Sequence, residues 1–168
     1  LHSPCRQDVP AEYGQSVDDD EAMALALDEA VGAAAHGDVP IGAVVLVDGE
    51  VVARRHNERE QSGDPTAHAE LLALREAAAA VGDGWRLVDA TLVVTIEPCA
   101  MCAGALLAAR VRRLVFGAPD LKAGACGSLY NLCTDPRLPH ELEVRSGVRA
   151  AECADLVAKF FADLRDPR

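Results

Sequence analysis

Two short segments carry side chains whose types and spacing suit metal-assisted chemistry: His68-Ala69-Glu70 within DPTAHAE, and Cys99-Ala100-Met101-Cys102 within EPCAMC. One imidazole and two thiolates make a three-ligand zinc set whose fourth tetrahedral position stays open for water or substrate, as catalysis requires. Glu70 stands two residues beyond His68, placed to take a proton from an attacking water without ligating the metal. A C-x-x-C by itself reads equally as a redox pair or as part of a structural zinc site. A structural site needs a fourth protein ligand. Cys126, Cys133, His56 and His140 are available, yet none sits in a second compact ligand spacing. A thioredoxin-like role leaves the His-x-Glu half unexplained. Glu70 also has a plainer reading, as an acid that favours the first turn of its helix.

The elements that must position these residues follow from hydrophobic periodicity. EAMALALDEAVGAAAH predicts a first helix over Glu21–His36. Ile41–Val47, the turn Asp48-Gly49 and a strand from Val51 to about Asn57 predict a β-hairpin. After a polar loop, Glu58–Asp64, the stretch TAHAELLALREAAAAV predicts a helix opening at Pro65 and Thr66. Ala90–Ile96 is a β-branched strand, and Pro98 opens the helix that carries both cysteines. A strand over Arg113–Gly117, a glycine-containing loop over Leu121–Gly127, a short strand over Leu142–Arg145 and a helix over Ala151–Leu164 complete the order. In the last helix Leu156, Val157, Phe160, Phe161 and Leu164 share one face, which predicts packing along its length. The alternation implies α/β architecture: one sheet with helices on both sides, mostly parallel, with the hairpin as its antiparallel part.

His-x-Glu followed by Pro-Cys-x-x-Cys is the known signature of zinc nucleobase deaminases. Asn57, DPTAHAE, WRLVDATLVVTIEPCAMCAGAL, VFGAPDLKAGACGSL and ECADLVAKFF resemble the bacterial tRNA adenosine deaminases of the cytidine/deoxycytidylate deaminase family, from about residue 21 to about 164. The resemblance implies a three-layer α/β/α cytidine-deaminase-like fold with a mixed five-stranded sheet, and a homodimer with one Zn2+ per subunit. It implies that the wobble adenosine of an arginine tRNA anticodon stem-loop is converted to inosine. It makes His68, Cys99 and Cys102 the zinc ligands and Glu70 the proton shuttle. It gives Asn57, main-chain atoms of Ala69, and Asp120 to the substrate, and Lys122 and Ser128 to RNA or the dimer partner. On chemistry alone Asn57 is also an ordinary loop residue, and Asp120 after Pro119 also a turn cap. Deamination of free guanine, cytosine or a related small heterocycle shares the metal centre and is the alternative. The last helix departs from its more basic counterparts, since Arg165 and Arg168 are offset by Asp163 and Asp166.

The 168 residues, 50% of them hydrophobic, suffice for one domain with its own core, which excludes disorder throughout. No apolar run approaches a bilayer span, and the opening residues lack a secretory pattern, so a cytoplasmic chain with reduced thiols is expected. Residues 1–20 read as an acidic flexible tail ahead of a deaminase domain over 21–168. The net charge of −11 opposes nonspecific binding to nucleic acid, but residues 1–21 contribute −5 of it and leave −6 for the rest. Arg54, Arg55 and Arg59, with Arg110, Arg112 and Arg113, are candidates for local positive surface. His2, His36, His56 and His140 read as surface or structural histidines.

Overall fold

The computed structural model describes residues 16–166. Its first helix, α1 (Asp19–Ala35), starts from a reciprocal capping box: Asp18 accepts from the Glu21 amide at 2.8 Å, and Glu21 accepts from the Asp18 amide at 3.0 Å. The hairpin strands β1 (Gly42–Val47) and β2 (Glu50–His56) follow. Asp48 and Gly49 both take positive φ, 52° and 79°, as a tight hairpin turn demands. After them come α2 (Arg59–Ser62), α3 (Ala69–Val81), β3 (Ala90–Ile96), α4 (Ala100–Ala108), β4 (Arg113–Ala118), β5 (Glu143–Arg145) and α5 (Ala150–Arg165).

The five strands form one sheet in the order β2-β1-β3-β4-β5. β1 runs antiparallel to both β2 and β3, whereas β3–β4 and β4–β5 are parallel. The sheet is therefore evenly mixed rather than mostly parallel, because the inverted strand β1 lies between two partners. Alternation along the strands separates two cores. Val44, Leu46, Val93 and Val115 face α1 and the start of α5, joined by Ala22, Met23, Ala26 and Cys153. Ala43, Val45, Leu92, Val94, Leu114 and Phe116 face α3 and α4, joined by Ala73, Ala77, Ala103 and Leu106. This is the three-layer α/β/α arrangement.

Several boundaries differ from the sequence expectation for identifiable reasons. α3 begins at Ala69, not Pro65, because Asp64 Oδ1 accepts from both the amide and the hydroxyl of Thr66 and holds that stretch as a turn. α4 begins at Ala100, two residues beyond Pro98. The loop Glu58–Asp64 contains α2, whose amides of Glu60 and Gln61 are satisfied by the Asp38 carboxylate at 2.7 and 3.1 Å. Of the expected tail, residues 1–15 lie outside the described residues, while residues 16–20 are tied to the body. The Val17 amide donates to Gly49 O at 3.0 Å, and Asp19 joins α1. The apolar stripe of α5 is not packed along its length. Cys153 is its buried residue, seated against Gly117 of β4, whereas Phe161 and Leu164 further along the helix are 44% and 61% exposed.

Asp19 fastens α1 to the far side of the sheet. It accepts from Arg113 at 2.6 and 2.8 Å and also pairs with Arg145. The Arg113 hydrogen bond, with help from Arg145, holds this carboxyl below its ordinary value despite burial. A depressed folded value gives stability that is present above the unfolded value of about 3.9 and is lost as pH falls through the folded value. Asp19→Asn is expected to cost ~1 kcal/mol at pH 7. The difference from wild type should shrink towards zero on acidification, and chemical denaturation at neutral and acid pH measures it.

Candidate active site

His68 is the N-cap residue of α3, and Cys99 is the N-cap residue of α4. Strand β3 delivers the second of these segments, passing through Glu97 and Pro98 into Cys99. The outcome is a tight donor group. His68 Nδ1 lies 3.7 Å from Cys99 Sγ and 3.5 Å from Cys102 Sγ. Sulfur and nitrogen ligands at ~2.3 and ~2.05 Å from a tetrahedral zinc stand roughly 3.6 Å apart, so these residues fit the ion without rearrangement. All three donor atoms lie within 4.8 Å of one another, and no other group of three such donors occurs among the described residues. The possible fourth ligands do not join them. Cys126 and Cys133 face each other at 3.2 Å, His56 faces His36, and His140 Nε2 donates to Val111 O at 2.7 Å.

Electrostatics at the site follow from burial and helix ends. The hydrogen bond from Cys102, followed by that from His68, pushes the Cys99 thiol down to about 3, and Cys102 is raised in return. A bound cation would displace the thiol protons of both residues. Cys99 at the N-cap and Cys102 in the first turn of α4 both lie where the helix dipole favours thiolate. Glu70 is 4% exposed, and burial pushes its carboxyl up to about 7.

A cleft of about 210 Å³ opens beside this group, with Val39, Ile41, Asn57, Arg59, Glu70 and Asp120 among its walls. His68, Ala69 and Cys99 also line it. Asn57 is buried and fixed at both ends of its amide: Nδ2 donates to Val39 O at 3.2 Å, and Oδ1 accepts from the Arg59 amide at 3.4 Å. Asp120 Oδ1 accepts from the amides of Lys122 and Ala123 at 2.9 and 3.1 Å, so it caps its own turn at the rim. Lys122 is exposed. The Ser128 hydroxyl points inward to Glu97.

The positive surface is narrower than the arginine count implies. Arg54 pairs with Glu29, Arg55 with Glu58 and Glu76, and Arg113 with Asp19 and Glu143. Among the described residues Arg59, Arg110 and Arg112 have no carboxylate within ion-pair distance, and of these Arg59 borders the cleft.

Glu97 is the residue that spacing alone does not reveal. It is 3% exposed and accepts four hydrogen bonds: from the amides of Asp120, Cys126 and Ser128, each at 3.0 Å, and from the Ser128 hydroxyl. Burial would raise its carboxyl, but the bonds from Ser128, Asp120 and Cys126 more than offset that and keep it charged. The loop closes so tightly on it that a Cβ at Gly124 would lie 2.4 Å from Glu97 Cδ. The available signal was a carboxylate at the end of an apolar strand, beside the Pro-Cys pair.

Residues 16–118 match the cytidine and deoxycytidylate deaminase zinc-binding region. The chain is 49% identical over 147 residues to a tRNA-specific adenosine deaminase of Bacillus subtilis, covering 88% of this chain and 91% of that protein. It is 44% identical over 151 residues to a tRNA-specific adenosine deaminase of Haemophilus influenzae, covering 89% and 87%. A structure solved in a study of A-to-I editing by tRNA:A34 deaminases superposes with a TM-score of 0.77 at 45% identity, covering 80% of this chain and 97% of that one. The structure of NE0047 in complex with 2,6-diaminopurine superposes with a TM-score of 0.74 at 28% identity, covering 87% and 82%.

Glu97→Gln replaces one acceptor oxygen with an amide that confronts N–H donors. A cost of about 1–3 kcal/mol is expected, with faster hydrogen exchange at the amides of Asp120, Cys126 and Ser128. Exchange-coupled mass spectrometry checks this, and unchanged protection of residues 120–128 would remove Glu97 from its positioning role.

Proposed function

Because the chain belongs to the cytidine and deoxycytidylate deaminase zinc-binding family, we propose that it hydrolytically deaminates adenosine to inosine at the wobble position of a tRNA anticodon, with an arginine tRNA as substrate. The observation that carries this reading is the His68, Cys99 and Cys102 donor set at zinc spacing beside the buried carboxyl of Glu70. Extensive identity to two tRNA-specific adenosine deaminases supports the RNA substrate.

In this reading His68 Nδ1 and the two Sγ atoms hold one zinc ion. When bound, zinc supplies Lewis acidity and makes water nucleophilic near neutral pH. Glu70 does the proton work. Its carboxylate takes a proton from the water that attacks C6 of adenine and delivers it to N1. The C6–O bond forms, the exocyclic C6–N bond breaks, and the water's second proton leaves with ammonia. Asn57 orients the base through its fixed amide, and main-chain atoms of Ala69 at the start of α3 contact it from the side. Asp120 shapes the rim near the nucleotide, while Arg59 and Lys122 offer charge to RNA phosphates. Ser128 acts indirectly, through Glu97.

A single unstacked base from an anticodon loop suits a cleft of this size, and recognition then needs little basic surface. We also assign a homodimer, supported by an apolar hollow between α3 and α4 lined by Leu71, Leu74, Ala78, Trp85 and Ala105. Among the described residues no helix is long and apolar enough to cross a membrane, and we place the enzyme in the cytoplasm. The solution mass is expected to be twice 17.7 kDa by light scattering, and a 17.7 kDa particle would remove the dimer.

Deamination of free purines is a second reading, favoured by likeness to a structure holding 2,6-diaminopurine. An assay of an arginine tRNA anticodon stem-loop beside free adenosine, guanine and cytosine separates the two. Turnover of the stem-loop alone is expected; turnover of a free base but not the stem-loop would overturn the RNA assignment. Glu70→Ala is expected to keep its zinc and to lose about 10²–10⁴ in rate, whereas His68→Ala should lose both zinc and turnover. Normal turnover by Glu70→Ala would end its assignment as the proton shuttle.

A further inference from the structure

Away from the cleft, two imidazoles meet where α1 ends and β2 ends. His36 Nε2 and His56 Nε2 face each other at 3.1 Å, with ring centroids 5.2 Å apart. Each ring is held from behind by a carboxylate: His36 Nδ1 to Asp38 Oδ2 at 3.0 Å, and His56 Nδ1 to Glu29 Oε2 at 2.9 Å. Glu29 is fixed in turn by Arg54 at 3.1 Å, and Asp38 by the amides of Glu60 and Gln61. The His56 ring rests on Gly32 of α1, where a Cβ would stand 3.3 Å from Cε1 and Nδ1.

The hydrogen-bond inventory leaves one requirement open. A carboxylate only accepts, so each Nδ1 carries the proton, and each Nε2 then presents a lone pair. Two lone pairs 3.1 Å apart repel unless an electrophile lies between or beside them. Imidazole nitrogens at ~2.05 Å from a tetrahedral ion stand roughly 3.3 Å apart, close to the separation present. A carboxylate on the distal nitrogen is the usual support of a metal-ligating histidine, because it fixes the tautomer and raises the basicity of the ring. Both side chains keep partial exposure, 23% and 24%, so an ion and its waters can approach from solvent.

We propose that His36 and His56 form a second divalent-metal site, which takes a borderline transition ion such as Zn2+, Ni2+ or Cu2+ through the two Nε2 atoms, with water completing its coordination. Neither histidine lines the catalytic cleft. The site is coupled to it structurally, because Asp38 anchors α2, and α2 begins at Arg59 beside Asn57. An ion here would rivet α1, β2 and that wall of the cleft together.

The test is calorimetric titration of the full chain, loaded beforehand with one equivalent of zinc, with NiCl2, total metal being counted afterwards. One further equivalent per chain is expected. His36→Gln and His56→Ala should each weaken this event at least tenfold and still retain one zinc. Nickel should raise the Tm of wild type by about 3 °C and leave that of His36→Gln unmoved. Should His56→Ala fail to fold, His36→Gln, at the C-terminal end of α1, decides the matter alone. No second event in wild type, an event that survives both substitutions, or nickel that only displaces zinc would each overturn the proposal and leave a shared proton between the rings.

Discussion

His68 and Cys99 occupy helix N-cap positions without capping. Neither side chain bonds to its helix's backbone, although an N-cap side chain ordinarily satisfies one of the free amides and contributes about 1 kcal/mol. Those side chains point instead at a common centre, with Cys102 one turn into the second helix. Holding two uncapped helix ends together is the constraint that organises the rest. β1 sits between β2 and β3, so the segments leaving β2 and β3 emerge as near neighbours, and α3 and α4 then cover the same face of the sheet. The positive ends of both helices thereby converge on the sulfurs, where thiolate charge is favoured.

Buried carboxylates fix the walls around that centre. Glu97 gathers the amides of the 120–128 loop, and Asp38 gathers those that open α2. Each is a charged acceptor meeting several donors, an arrangement that compensates desolvation and is costly to break by removing one partner. The same economy reconciles an acidic chain with local positive surface. Arg54, Arg55 and Arg113 are held in ion pairs within the chain, while Arg59 borders the cleft and Lys122 is exposed two residues beyond Asp120. Positive charge is thus placed locally, and the net value of −11 says little about the mouth of the cleft.

Legibility in the sequence tracked how local each determinant is. Strand β3 matches its expected bounds of Ala90–Ile96, and the hairpin turn at Asp48-Gly49 lies where its residue types place it, because both depend on adjacent residues. The His-x-Glu and Cys-x-x-Cys halves were legible as chemistry, since ligand spacing within a helix turn is local too. Long-range determinants were hidden. Asp38 caps a helix more than 20 residues away in sequence, a distance of 22 and 23 positions to its two amides, and so α2 read as loop. Glu97 depends on partners 23 to 31 positions on. The apolar stripe of α5 was correctly periodic, yet periodicity does not reveal how much of that stripe finds a partner.

The most direct test of the metal centre is X-ray absorption at the zinc edge of the protein loaded with one equivalent of zinc. Two sulfur scatterers at ~2.3 Å and two lighter atoms at ~2.0–2.1 Å, one of them exchangeable with solvent, are expected. A third or fourth sulfur in the shell, drawn from Cys126 or Cys133, would contradict this assignment and make the ion structural.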